Sequence, residues 1–122
     1  GFLKRADGQW VYANESGALV GGWIRDGGSW YYLDPATKVM ATGWVADGGS
    51  WYYLTGSGAM ATGWVNDGGS WYYLNASGQM ATGWLNVGGS WYYLSPSGVM
   101  LTGTQVINGR TYVFDANGIW VG

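Results

Sequence analysis

The side chains with chemical potential in this chain are its aromatic rings. Ten Trp and ten Tyr stand in 122 residues beside only five basic and seven acidic side chains, with no His and no Cys. A Trp or Tyr face carries a negative quadrupole that attracts a cation, and its plane can also stack on a sugar ring or a base. Without His the chain lacks the commonest general base, the commonest transition-metal ligand and any Ser-His arrangement. Without Cys there is no disulfide framework, thiolate nucleophile or zinc-thiolate site. Only a hydrolase built on paired carboxylates stays formally open. A net charge of −2 offers no electrostatic footprint for a phosphate backbone or an anionic membrane surface. No apolar run approaches the roughly 20 residues of a membrane span.

Spacing turns the rings into an ordered set. Gly-Trp recurs at Gly22-Trp23, Gly43-Trp44, Gly63-Trp64 and Gly83-Trp84, at intervals of 21, 20 and 20 residues. Seven residues after each of these Trp begins a Trp-Tyr-Tyr-Leu block: Trp30 to Leu33, Trp51 to Leu54, Trp71 to Leu74 and Trp91 to Leu94. The extra residue of the first interval falls in Asp34-Pro35-Ala36-Thr37-Lys38, where turn chemistry tolerates an insertion. Both ends carry looser copies. Gly1-Phe2 with Asp7-Gly8 and Trp10-Val11-Tyr12 opens the chain, and Gly103-Thr104 with Asn108-Gly109 and Thr111-Tyr112-Val113-Phe114 closes it. The chain reads as a single repeat module, 1–122, with a divergent N-terminal repeat at 1–21, four regular repeats over 22–102 and a divergent capping repeat at 103–122.

The elements that must position the rings follow from the turns between them. Gly accounts for 24 residues, well above its usual share of about 7%. A Gly-Gly or Asn-Gly pair between short strands signals a tight hairpin turn that needs positive φ. With Gly48 and Gly49 as the turn, Asp47 faces Ser50, Ala46 faces Trp51, Val45 faces Tyr52 and Trp44 faces Tyr53. Alternation then puts Trp44, Trp51 and Tyr53 on one face and Val45 with Tyr52 on the other. Each hairpin is followed by a turn-rich segment with one apolar side chain in a fixed slot: Leu19, Met40, Met60, Met80, Met100 and Trp120. An isolated two-stranded hairpin is marginal in water, so stacking is the route to a core. The expected fold is all-β, a solenoid of stacked β-hairpins with about twenty residues per repeat.

Four uses of the rings compete. They can fill a small core, and Tyr31, Tyr52, Tyr72 and Tyr92, on the opposite face, are assigned that structural role. They can cage a quaternary ammonium, stack sugar rings, or stack nucleobases, the last disfavoured by the acidic balance. Three rings on one face of so short a strand pair exceed what one neighbouring hairpin covers, which points to recognition. The Met side chains are core filler, ligand contacts or both. Asp26, Asp47 and Asp67 precede the Gly-Gly turns, and Asp34 and Asp115 follow a strand, so the acids read as turn residues and not as a catalytic pair.

The unit Thr62-Gly63-Trp64-Val65-Asn66-Asp67-Gly68-Gly69-Ser70-Trp71-Tyr72-Tyr73-Leu74-Asn75-Ala76-Ser77-Gly78-Gln79-Met80 resembles the choline-binding repeat of Gram-positive cell-wall-binding modules. The resemblance is strong from Gly22 to Gly103 and loose at the ends. It implies a left-handed superhelix of hairpins that binds choline or phosphocholine of teichoic acids. It also implies sites walled by the Gly-Trp tryptophan and the first Trp of one unit and the last Tyr of the next, with Met lining the pocket. The sites so implied are Trp23, Trp30 and Tyr53 with Met60; Trp44, Trp51 and Tyr73 with Met80; and Trp64, Trp71 and Tyr93 with Met100. Weaker candidates are Phe2, Trp10 and Tyr32 with Met40, and Trp84 with Trp91, where a Tyr is missing at Val113 unless Trp120 supplies a wall. The last repeat is more similar to repeats of glucan-binding and clostridial toxin receptor-binding domains, which keeps carbohydrate binding as the alternative and a structural spacer as a third reading.

The resulting expectation is a module with no catalytic activity, cofactor or metal, which anchors a surface protein or murein hydrolase to the envelope. It has no nucleic-acid partner and no membrane insertion, and the sequence leaves open whether it forms a homodimer. No charged-then-apolar leader opens the chain, so the protein is expected to be a fragment of one that is secreted and held at the cell surface.

Overall fold

The computed structural model describes every residue, Gly1–Gly122, and contains twelve β-strands and no helix. Each strand pairs only with its neighbour in sequence, which gives six two-stranded antiparallel hairpins. The chain divides into two compact units, Gly1–Ala61 and Thr62–Gly122. The first holds β1 (Phe2–Lys4) with β2 (Trp10–Tyr12), β3 (Gly22–Asp26) with β4 (Ser29–Leu33), and β5 (Gly43–Asp47) with β6 (Ser50–Leu54). The second holds β7 (Gly63–Asp67) with β8 (Ser70–Leu74), β9 (Gly83–Val87) with β10 (Ser90–Leu94), and β11 (Gly103–Ile107) with β12 (Arg110–Phe114). The all-β array of hairpins expected from the repeat is therefore the observed fold.

The turn chemistry fixes the register. Gly48 and Gly49 take φ of 57° and 83°, and Asn108 and Gly109 take 49° and 79°. Positive φ at both central residues is the type I′ turn, whose twist matches that of the strands it joins. Pairing proceeds Asp47 with Ser50, Ala46 with Trp51, Val45 with Tyr52 and Trp44 with Tyr53, as the turn length requires. The N-terminal hairpin has a longer loop between Lys4 and Trp10, and pairs Phe2 with Tyr12.

Each hairpin continues into a tight turn that brings the chain back beside its second strand. The residue after the strand organises this turn: Asn75 Oδ1 accepts the Ser77 and Gln79 amides, both at 2.9 Å. Asp115 does the same for Asn117 and Ile119. The Asp34 carboxylate accepts the Thr37 and Ala36 amides, and these bonds hold its pKa below the ordinary carboxylate value. The returning chain then bridges the strand end, Leu33 to Met40, Leu54 to Met60, Leu74 to Met80, Leu94 to Met100 and Phe114 to Trp120.

The fully buried side chains are Leu33, Leu54, Leu74 and Leu94, each at 0% exposure, with Phe114 at 2% in the same slot of the last hairpin. The deepest burial in each unit is thus of the slot enclosed between strand and returning turn, Leu in the regular repeats and Phe114 in the last, and not of the Trp and Tyr rings. Tyr31, Tyr52, Tyr72 and Tyr92, expected to be core, are only half-buried. The physical reason is volume. Two short strands and a turn enclose room for one side chain of Leu or Phe size per repeat, and the remaining rings stay at the margin.

The returning turn also packs onto the methionine of the repeat before it. A Cβ on Gly118, at φ +85°, would lie 2.8 Å from Met100 Cγ, whereas one on Gly89, also at φ +85°, meets open space. Gly118→Ala should therefore cost about 2–4 kcal/mol, combining left-handed strain with overlap. Gly89→Ala should cost only the strain, about 1–2 kcal/mol. Equilibrium urea unfolding of the two variants compares them directly.

Candidate functional site

Alternation leaves every hairpin with two unlike faces. Trp23, Trp30 and Tyr32 share one face of β3–β4, while Tyr31 and Leu33 lie on the other. Within the first unit the ring-rich face of one hairpin meets the opposite face of the next. Trp23 packs edge-on against Tyr32 of its own hairpin at 5.0 Å and against Tyr52 of the following one at 4.9 Å. The second unit repeats this arrangement: Trp64 lies 5.0 Å from Tyr73 and 4.8 Å from Tyr92. Edge-to-face geometry at these distances is the favoured arrangement of aromatic pairs.

The tyrosine that reaches back across the step is thus the middle one of the Trp-Tyr-Tyr-Leu block. This corrects the expected walls. Tyr53 does not face Trp23; it packs on Trp44 of its own hairpin at 5.0 Å. Tyr93 does not face Trp64; it packs on Trp84 at 5.1 Å. Tyr32, expected with Phe2, lies on Trp23, and Phe2 instead meets Tyr31 at 4.8 Å. The reason is parity. The last Tyr shares a face with the tryptophans of its own hairpin, so it cannot also look backwards at the preceding one. Of the expected set Trp44, Trp51, Tyr73 and Met80, Tyr73 is paired with Trp64 of its own hairpin.

The third wall is set by the backbone. The Met60 amide donates to the Trp30 carbonyl at 2.7 Å, Met40 to Trp10 at 2.8 Å and Met100 to Trp71 at 2.8 Å. Each bond ties a returning turn to the first Trp of the preceding hairpin, which brings the expected methionines beside the expected tryptophans. Trp71 itself stays 43% exposed. Together Trp64, Trp71, Tyr92 and Met100, with Ala116 and Asn117 of the next turn, line a hollow of about 280 Å³. Phe2, Trp10, Tyr31 and Met40, with Gly56 and Ser57, line another of about 450 Å³.

The C-terminal set is more complete than the sequence suggests. Trp84, Trp91, Tyr112 and Trp120 line a hollow of about 390 Å³. Tyr112, not the residue at Val113, holds the tyrosine position, 4.9 Å from Trp84. The Trp120 amide donates to the Trp91 carbonyl at 2.8 Å, so Trp120 takes the methionine slot. No Asp, Glu, Lys or Arg lines any of these three hollows. Two of these volumes fall in the lower half of the usual small-molecule range, about 300–1,000 Å³, and the third lies just below it.

One aspartate does more than shape a turn. The Trp23 indole N–H donates to Asp47 Oδ2 on the next hairpin at 3.0 Å, fixing that wall by a charge-assisted bond. The corresponding residue opposite Trp64 is Val87 and opposite Trp84 is Ile107, so neither indole has this carboxylate partner. Burial, and then the negative charges of Asp47 and Asp34, push the Tyr32 phenol above its ordinary pKa.

Two-stranded hairpins with aromatic hollows between successive members within each unit define an aromatic repeat module. Residues 61–104 match the family profile described as a choline-binding repeat, and residues 21–35 and 42–60 match that of a cell wall binding repeat. The structure of CbpJ from Streptococcus pneumoniae superposes with a TM-score of 0.94 at 44% identity, covering 99% of this chain and 45% of that one. Choline binding protein F from the same organism gives 0.94 at 40% identity, covering 99% of this chain and 41% of that one. The choline binding domain of Spr1274 of Streptococcus pneumoniae gives 0.60 at 46% identity, covering 67% of this chain and 96% of that domain. No curated protein sequence matches. The chain belongs to the choline-binding repeat family, and it spans less than half the length of the first two relatives.

Two substitutions test the electrostatics of the walls. Asp47→Val should lower stability by about 1–3 kcal/mol through loss of a hydrogen bond to a charged acceptor. Asp26→Val should cost less, because Phe2, in the corresponding wall position, has no N–H to donate; thermal melts of both variants check this. The native state favours the neutral Tyr32 phenol. That preference has no effect below about pH 10 and becomes a loss of stability as pH rises through the raised value. Tyr32→Phe should flatten this alkaline limb in a pH series of unfolding midpoints.

Proposed function

We propose that the chain is a non-catalytic cell-wall-binding module that holds choline groups of teichoic and lipoteichoic acids in aromatic cages between successive hairpins. Acting through several such cages, it anchors a secreted surface protein or murein hydrolase to the Gram-positive envelope. The observation that carries this reading is the hollow of Trp64, Trp71, Tyr92 and Met100, which gathers aromatic faces and a thioether with no ionised side chain among its lining residues. A trimethylammonium group keeps its charge yet loses little hydration when enclosed by apolar walls, so aromatic faces suit it better than a carboxylate does.

Magnitudes agree with a polymer-bound ligand. Each aromatic wall gives about 0.5–2 kcal/mol, so three walls approach the roughly 4 kcal/mol of a millimolar site. Several such sites on one chain then gain avidity on a choline-bearing polymer without any new contact. The sets assigned to choline are Trp23, Trp30, Tyr52 and Met60; Trp64, Trp71, Tyr92 and Met100; Phe2, Trp10, Tyr31 and Met40; and Trp84, Trp91, Tyr112 and Trp120.

Calorimetry with choline at tens of millimolar should give saturable heat, and the melting temperature should rise with choline concentration. Tyr92→Leu should remove about one site, whereas Tyr92→Phe should keep it, because the ring face and not the hydroxyl is used. No heat and no stabilisation would sink the proposal. Retention on a glucan matrix that choline does not reverse would favour a sugar site instead.

A further inference from the structure

The first two hairpins of the first unit differ from the first two of the second in one cross-strand pair. Arg25 stands opposite Trp30 with its guanidinium carbon 6.0 Å from the ring centroid, and Lys4 stands opposite Trp10 with its Nζ at 6.0 Å. The second unit places Asn66 opposite Trp71 and Asn86 opposite Trp91. Cross-strand partners share a face, so both cations sit on the ring-rich face, beside the Trp wall at the turn end of the strand pair. Both are solvent-exposed, and neither makes an ion pair; the salt bridge of this unit joins Arg5 and Asp7. Four of the five basic residues, Lys4, Arg5, Arg25 and Lys38, fall in this unit.

A cation held 6.0 Å from a ring of the cage already draws on that ring's attraction for cations, and it repels a second cation unless the ligand also brings an anion. From this geometry, and resting on the choline reading above, we infer that Arg25 and Lys4 select phosphocholine over choline at the Trp30 and Trp10 sites. The trimethylammonium group enters between the aromatic walls. The phosphate, two carbons and an ester oxygen away, meets the Arg25 guanidinium or Lys4 ammonium at the rim. Arg suits a phosphate through paired N–H donors, and Lys serves as a point charge. The Asn-bearing sites of the second unit lack this charge and treat the two ligands alike. Lys4 and Arg25 are thus specificity residues, and the repeats are not equivalent sites.

The test is calorimetric titration of the full chain with choline and with phosphocholine at low salt. Wild type should bind phosphocholine about two- to fivefold more tightly than choline at a subset of sites, the range of an exposed ion pair. The preference should shrink near 1 M salt, where the screening length falls to about 3 Å. Lys4→Asn with Arg25→Asn should abolish it, with choline bound at least as tightly as by wild type, since a like charge has been removed from beside the ring. Arg25→Glu should invert the preference towards choline at one site, a gain that misfolding cannot mimic. Equal affinities in wild type, or a preference that survives the double substitution, would overturn the inference and leave the choline reading standing. Tightening of both ligands by the same factor would also overturn it, since the cations would then only repel. Absence of heat with either ligand would remove the choline reading and this inference together.

Discussion

A two-stranded hairpin has no interior of its own, and the organisation of each unit follows from that. Both faces of every strand pair have to be covered by something else, and a type I′ turn with rigid register decides which side chains each face offers. One face carries the rings of Trp23, Trp30 and Tyr32; the other carries Tyr31 and Leu33. Stacking then joins unlike faces, so that Trp23 stands between Tyr32 and Tyr52. The hollows are the space left where large rings cannot close fully over a neighbour of only two strands.

Burial and recognition are therefore divided among neighbouring residues of one short block. Leu94 disappears into the gap between strand and returning turn, while Trp91, three residues earlier, remains 43% exposed. The amide of the methionine slot is spent on the carbonyl of the preceding hairpin's first Trp. This bond positions a wall of the hollow and satisfies a backbone donor at the same step. Gly at positions such as 118 lets the next turn lie directly on the methionine, which holds Met100 from behind. Stability and site geometry draw on the same contacts, because each repeat supplies the support for the one before it.

The departures between repeats bear on function more than their common plan does. Asp47 holds the Trp23 indole, whereas Val87 and Ile107 leave Trp64 and Trp84 without that anchor. Arg25 and Lys4 bring charge beside Trp30 and Trp10, and Trp120 replaces a thioether with an indole in the C-terminal hollow. Nearly identical repeats thus present ring-rich faces that differ in hydrogen-bonded anchoring, charge and aromatic content.

The sequence by itself determined the hairpins, their register and the two sets of side chains each one presents. Those features are local: paired glycines at positive φ set the turn, and the turn length sets which residues pair. The methionine slot and the tryptophan positions were legible for the same reason, as fixed offsets within a repeat. Which tyrosine completes each hollow was decided only by the tertiary structure. Tyr52 and Tyr53 are adjacent and chemically identical, and nothing within one repeat says which face looks forward along the stack. The same holds for Tyr112 beside Val113 and for Asp47, whose turn position conceals the indole it accepts. All three depend on the direction in which one hairpin is laid on the next, a relation between repeats that no single period of the sequence contains.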